Sequence, residues 1–458
     1  MQRLSGAPLA EPSPAVLAAM RSKFPGRPPH QATSSRPAAP PANEAGVEDV
    51  VRAIRSFPRG AAPGPTGLRP DLLQQLVSGS EERPAAHLLT QLVNLLADGQ
   101  APAGLRPYVG GGRGTALQKV SKTGTADVRP LCAGEALRRL VGKVLLRSEL
   151  PALRAHLLPH QLAVGVSSGA EAMVHLHRQW VQRHSHDADR VCLSYDEGNA
   201  HNAVDRHCFL TRMREVVPGL GRWLEYIYPT NVATKVFFHD QIIESVAGGQ
   251  QGCPLMMACH AVVQRLLLES LGLVLPLEGS SIQLPVLSPP ARLDIAPCFA
   301  DDGLLAGPSA EVLRCLRHWQ GVLPQLGLRL SSAVVAPAVA QAPIDYTGFV
   351  TLGCTVEAHG NYEVLRSPTG ADSFCVAYCK ERAAKQVDIV RRVGQLEDPQ
   401  VGYYLLRFSC GAGRMTYMAR TTPARLCRDG LLAFDSGVQA SFTELTGFHP
   451  DADRKSVV

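Results

Sequence analysis

Residues 298–307 read Cys-Phe-Ala-Asp-Asp-Gly-Leu-Leu-Ala-Gly. Two adjacent carboxylates, Asp301 and Asp302, lie between short apolar runs and are followed by a glycine. Asp-Gly between apolar runs is a strong hairpin signal, because glycine takes positive φ and aspartate tolerates a turn. The stretch therefore predicts a hairpin with Gly303 at its turn. Taken alone, an acidic turn is more often a turn than a site, so its meaning rests on the rest of the chain.

Asp196 is the first residue that bears on it. Residues 190–196, Arg-Val-Cys-Leu-Ser-Tyr-Asp, read as a buried strand ending on that carboxylate. If this strand neighbours the acidic hairpin, three carboxylates meet at one sheet edge. Such a cluster repels itself unless cations fill it. Two divalent ions about 3.5–4 Å apart, held by carboxylates, are a standard device for in-line phosphoryl transfer. Mg²⁺ suits such a site, because it takes a few carboxylates and completes its shell with water and phosphate oxygens; Mn²⁺ has similar requirements.

Between these stretches lies Gly248-Gly249-Gln250-Gln251-Gly252-Cys253-Pro254, a glycine loop opening a long apolar helix at about 255–272. Around them the pattern runs strand, helix (203–217), hairpin (234–245), helix, acidic hairpin, helix. In the last helix Val312, Leu316, Trp319 and Leu323 share a face, and Ser309 is placed to cap it. This is compatible with a split β-α-β sheet carrying helices on one face. Upstream, residues 47–57 and 84–98 are helical in pattern, and 108–131 are loop and β-rich. Residues 134–150 form a helix with Leu137, Leu140, Val141, Val144 and Leu145 inward and arginines on the other face. The first 45 residues are rich in Pro and Ala, a composition of mobile leaders. The last hundred read as mainly helical.

The bulk properties fit a globular protein of two to four units: 458 residues, 45% hydrophobic and 19% charged. The net charge of +6 is unevenly spread. Residues 104–155 hold ten Lys or Arg against three acids, and residues 380–429 ten against five. Two basic zones fit a polyanion that touches two parts of the fold. The twelve cysteines have neither C-x-x-C nor knuckle spacing and read as reduced, buried residues of an intracellular protein. No apolar signal segment opens the chain, and the longest apolar stretch carries Gln264, Arg265 and Glu269, which excludes a membrane span there. Nucleus or cytoplasm is the expected compartment. His184, His186, Asp187 and Asp189 crowd too closely for a metal site and read as a solvated turn.

In order and spacing, "LSYDEGNAHNAVDR", "GGQQGCPL" and "CFADDGLLAG" resemble the palm motifs of reverse transcriptases, most of all those of the non-LTR (LINE-type) retrotransposons. "AAPGPTGLRP", "VRPLCAGEALRRLVGKVL", "GVSSGAEAMVHLHR" and "YYLLRFSCGAGRMTYMARTTP" extend the resemblance over roughly residues 45–445. It implies an α+β right-hand polymerase: leader 1–45, fingers 46–185, palm with an antiparallel sheet 186–360, helical thumb 361–445 and tail 446–458. It implies an RNA-directed DNA polymerase that extends a DNA primer 3′-hydroxyl with dNTPs on an RNA template. Asp196, Asp301 and Asp302 would bind two Mg²⁺ ions. Lys119 or Lys122, with Arg129, would hold the triphosphate; Gln251 and Gly252 would shape the floor under template and nucleotide.

Four features depart from the commonest family pattern; Cys253, where many relatives have Asp, and Phe299, where many have Tyr, are mild changes, and two others bear on activity. Five residues after Asp196, where a Phe or Tyr usually excludes a 2′-hydroxyl, stands His201, which is smaller and can hydrogen-bond. The loop after the post-hairpin helix usually carries a lysine; here no lysine occurs between Lys235 and Lys380. The alternatives are a catalytically inactive relic, or an RNA-binding protein that keeps the fold. An RNA-templated RNA polymerase would also be compatible with an open gate at His201. No endonuclease, ribonuclease H or zinc-knuckle segment is visible, so a polymerase domain alone is expected.

Overall fold

The computed structural model describes residues 8–26, 39–78, 83–120 and 126–449. It is a mixed helix-and-sheet protein with two main sheets and one small hairpin. The central sheet has the order β6-β7-β3-β8-β9, with β3 (Arg190–Glu197) in its middle. β7 (Asp302–Pro308) and β8 (Leu330–Pro337) flank β3, both antiparallel to it. β6 (Cys298–Phe299) and β9 (Thr355–Val356) lie outside them. The second sheet has the order β2-β1-β4-β5, formed by Gly112–Val120 (β1), Ala126–Ala133 (β2), Thr234–Phe238 (β4) and Gln241–Ser245 (β5).

Alternation along β3 decides which face each residue serves. Val191, Leu193 and Tyr195 point into the main core, beside the helices Met256–Ser270 and Ser309–Val322. Cys192 points the other way, with Leu304, Ala306 and Ala336, toward Met173, Val174 and Trp180 of the helix Gly169–Arg183. The sheet is thus covered on both faces, where the sequence pattern suggested one. The second cover stops short of the strand end, leaving Asp196 only partly buried.

Four helices, Asp372–Gly394, Pro399–Ser409, Gly413–Thr421 and Ala424–Thr446, enclose a separate core around Val390, Leu406, Met415 and Phe434. The hairpin of β10 (Tyr362–Val364) and β11 (Ser367–Thr369) stands between them and the sheet. Arg178 fastens this junction, donating to Thr421 O at 2.8 Å, Pro368 O at 2.5 Å and Ser367 Oγ at 3.2 Å.

Several expectations need correction. Part of the expected mobile leader is packed: Ala10 N donates to Ala116 O, and Met20, on the helix Pro14–Ser22, is fully buried against the second sheet. Ser309 does not cap its helix; its hydroxyl donates to Asp189 Oδ1 at 2.7 Å. Arg138 is not on a solvated face but is 1% exposed. Among the described residues no helix is long and apolar enough to cross a membrane. Ten of the twelve cysteines are buried, and all twelve are free thiols.

His177 is fully buried between Trp180 and Tyr362, its Nε2 2.5 Å from the Tyr362 hydroxyl. Burial, and secondarily the Arg178 charge, push its pKa down to about 3. A depressed histidine contributes stability above the unfolded value near 6.5, and that stability is lost as pH falls toward 3. His177→Gln removes this titration. Unfolding at pH 4 to 7 is expected to show the wild type losing roughly 1 kcal/mol more per pH unit than the variant. Parallel slopes would refute it.

Candidate active site

The acidic hairpin is built differently from the Asp-Gly turn that its sequence suggests. β6 and β7 pair Cys298 with Gly303 and Phe299 with Asp302, so the turn residues are Ala300 and Asp301. The residue in the left-handed region is Ala300, with φ 56°. Gly303 lies within β7, and its missing side chain has another cause. It pairs with Tyr195, and a Cβ on Gly303 would collide with Tyr195 Cζ and its hydroxyl oxygen and stand 2.6 Å from Cε1, a severe clash with that end of the ring.

This construction brings the carboxylates together. In the β3–β7 register Asp196 stands directly opposite Asp302, with Asp301 in the adjoining turn. On the other side of β3, Asp196 pairs with Ser332 of β8, just before a register shift at Glu197. Glu197 N donates to Asp301 O at 3.0 Å, tying the turn to the strand end. Ser331 Oγ donates to Asp196 Oδ2 and, at 3.3 Å, to Asp196 O.

The electrostatics are those of three like charges held close. Burial pushes the Asp302 carboxyl up to about 7, and Asp301 and Asp196 add to the rise, while Arg366 opposes it. Asp196 is also raised, first by burial; Ser331 and Lys119 work against the shift and Asp301 and Glu197 with it. A site that resists its own ionisation is relieved by a divalent cation, and hard carboxylate oxygens suit Mg²⁺ or Mn²⁺. In that chemical sense the residues fit the ion. Among the described residues, however, no three His, Cys, Asp or Glu side chains converge on one metal position. Asp196 is turned toward Ser331 instead.

Lys119 on β1 is exposed and acts on Asp196 through its charge. Arg129 on β2 is exposed and lies on the same face, since Leu117 pairs with Arg129 and Lys119 with Asp127. Lys122 falls outside the described residues. The glycine loop packs against the end of β2: Cys132 N donates to Gln251 O at 3.0 Å, and a Cβ on Gly252 (φ 115°) would meet Cys132 O at 2.6 Å. The loop is also joined to the His201 segment, Gly249 N donating to His201 O at 2.6 Å. The His201 ring stands edge-on to His260, centroids 5.6 Å apart. Burial, with the His260 charge, lowers the His201 pKa to about 4, so its ring is neutral at physiological pH.

Three contributors escaped the sequence reading. Ser331 comes from β8, which follows a turn marked by Pro324 and the left-handed Gly327 (φ 68°), but no local signal places that strand beside β3. Arg366 sits at the tip of the β10–β11 hairpin, where Leu365 (φ 47°) and Arg366 (φ 62°) form the turn without the glycine or asparagine that would have marked it. Arg138 donates to Gly110 O and Gly111 O at 2.8 Å, to Gln250 Oε1 at 2.5 Å and to the Tyr228 hydroxyl at 2.7 Å. It therefore anchors the glycine loop to the start of β1. Arg139 and Lys143 also make internal bonds, to Ala62 O and Ser56 Oγ. Part of the first basic zone is thus structural. In the second zone Lys380, Lys385 and Arg391 lie in exposed ion pairs. Arg407 instead lies over the exposed Phe408 ring, which stacks on Tyr404.

Compared with protein-family models and with curated proteins, the chain matches none.

Proposed function

We propose that the protein is a template-directed nucleotidyltransferase with a right-hand polymerase architecture: an RNA-directed DNA polymerase of the reverse-transcriptase kind. The observation that carries the reading is the register setting Asp196 opposite Asp302, with Asp301 in the adjoining turn. Three half-buried carboxylates at a strand end, with the charge of the exposed Lys119 of the second sheet acting on Asp196, suit a triphosphate and a primer terminus better than they suit a structural turn. In this reading Asp196, Asp301 and Asp302 hold two Mg²⁺ ions, which when bound lower the pKa of the primer 3′-hydroxyl and offset charge on the triphosphate. Lys119 and Arg129 supply further positive charge to the phosphates. Gln251 and Gly252 lie under the nucleotide, and His201 beside its sugar. The four-helix unit with Arg407, Tyr404 and Phe408 offers charge and ring faces to a template–primer backbone, with little sequence readout.

The test is primer extension by the purified chain on an RNA template with Mg²⁺, with dNTPs and ribonucleotides supplied separately. DNA growth supports the reading. Growth with ribonucleotides alone would move it to an RNA polymerase. Binding of the duplex without growth would leave a nucleic-acid-binding protein.

His201→Phe tests the sugar contact. A neutral imidazole can share a hydrogen bond with a 2′-hydroxyl, whereas a phenyl ring excludes it. The variant is expected to prefer dNTPs over ribonucleotides about tenfold more than the wild type does. Because His201 titrates near 4, the wild-type preference should be flat from pH 6 to 9. Identical discrimination in both proteins would remove His201 from the sugar site.

A further inference from the structure

The turn that carries Asp301 contains a residue ill suited to its conformation. Ala300 has φ 56°, a region that L-residues enter only when their surroundings over-determine it. The surroundings here are a chain of buried polar side chains. Gln161 grips both backbone groups of Ala300: its Oε1 accepts from Ala300 N at 3.2 Å, and its Nε2 donates to Ala300 O at 3.4 Å. The same Nε2 donates to Gln264 Oε1. Gln264 Nε2 donates to Glu197 Oε1 at 2.9 Å, and Glu197 Oε2 meets His260 Nε2 at 2.8 Å. The ring closes through the backbone, where Glu197 N donates to Asp301 O. Gln161, Glu197, Gln264 and His260 are each 3% exposed or less.

Four segments meet in this ring. Gln161 belongs to the segment that follows the helix Ala136–Leu157 and runs beside β6. Gln264 and His260 lie one turn apart on the helix Met256–Ser270, which follows the glycine loop. Glu197 ends β3, and Ala300 opens the acidic turn. Removing water and satisfying each amide makes such a network rigid, and a single missing partner leaves a buried polar group unpaired.

We propose that Gln161, Gln264 and Glu197 are positioning residues for the acidic turn. They hold Ala300 in its left-handed conformation and so fix where the Asp301 and Asp302 carboxylates stand relative to Asp196. The inference rests on the polymerase reading only for its activity readout; the geometry of the turn is tested separately.

The test uses the full chain with Gln161→Met and Gln264→Met, substitutions that keep length and volume but remove the amides, and with Gln161→Met combined with Ala300→Gly. Each methionine variant is expected to keep the wild-type circular dichroism and its affinity for RNA–DNA duplex. It should need at least tenfold more Mg²⁺ for half-maximal extension and bind Mn²⁺ at least fivefold more weakly by paramagnetic titration. Glycine adopts positive φ unaided, so Ala300→Gly should restore most of the Mn²⁺ affinity lost in Gln161→Met. Amide exchange of the 299–302 segment should accelerate at least tenfold in Gln161→Met and slow again in the pair. Methionine variants with wild-type Mn²⁺ binding and wild-type exchange would overturn the proposal. So would variants that fail to fold and are not recovered by Ala300→Gly, since the residues would then serve global stability only. If the wild type neither extends primers nor binds Mn²⁺, the polymerase reading falls, while the exchange rates still decide whether the ring holds the turn.

Discussion

Asp302→Asn is expected to abolish primer extension, by roughly a thousandfold or more, while leaving the fold intact. The amide keeps the shape of the side chain and the β3–β7 pairing but removes one of three charges that would hold the ions. The same substitution should stabilise the metal-free protein, and the sign follows from the titration. In the folded chain the Asp302 carboxyl is raised to about 7 from an ordinary value of 3.8, first by burial and then by Asp301 and Asp196. Between those values the folded state holds a proton that the unfolded state has lost, so stability falls as pH rises through the window. Above pH 7 the wild type carries the full cost of ionising this carboxyl in the cluster, and the asparagine variant does not. Thermal unfolding without divalent ions should therefore favour the variant most at pH 8, and the gap should close as pH drops toward 4. Millimolar Mg²⁺ should raise the melting temperature of the wild type and leave the variant nearly unmoved, because only a folded-state site gains from ligand. A variant that extends primers at near wild-type rate would remove Asp302 from the chemistry. One less stable than the wild type at pH 8 would contradict the crowding of charge.

Local pattern and non-local register contributed unequally to what could be read from the residues. The strand ending on Asp196, the 234–245 hairpin and the apolar helix after the glycine loop follow from short-range periodicity, and all three are present. β8 carries Ser331 to Asp196; Pro324 and the left-handed Gly327 mark the turn before it, yet nothing local says which strand it joins, and its place beside β3 is a tertiary choice. The turn of the acidic hairpin was displaced by two residues, because Asp-Gly is a local signal and the constraint on Gly303 lies 108 positions earlier, in Tyr195. Arg138 reads as a solvated residue in a helical repeat, and only the arrival of Gly110, Gln250 and Tyr228 around it makes burial affordable. Gln161 and Gln264 are likewise unremarkable in sequence. Their meaning comes from a partner chain of hydrogen bonds that spans 139 residues.

Gly303→Ala is the change expected to do most damage for its size. Tyr195 lies across Gly303 in the strand pair, fully buried, with its ring edge-on to Trp319 at 5.3 Å and its hydroxyl 3.4 Å from Cys298 Sγ. An added methyl at residue 303 would collide with Cζ and the hydroxyl oxygen of Tyr195 and stand 2.6 Å from its Cε1, and neither Trp319 nor the main core leaves room for the ring to retreat. Overpacking of this kind costs about 3 kcal/mol. Relief can come only from parting β7 and β3, and Asp302 directly precedes the methyl, so the strands would separate at the carboxylates. Loss of extension should therefore exceed what the lost stability explains, with activity down at least a hundredfold at temperatures where the variant remains folded. The contrast is Gly303→Ala combined with Tyr195→Leu, which withdraws the ring's far end from the methyl. The two changes should be less destructive together than the sum of each alone, with a coupling of about 1–2 kcal/mol in denaturant unfolding. Strict additivity would mean that the glycine is not there to admit the ring, and an active, stable Gly303→Ala protein would mean that β3 and β7 do not meet in this register.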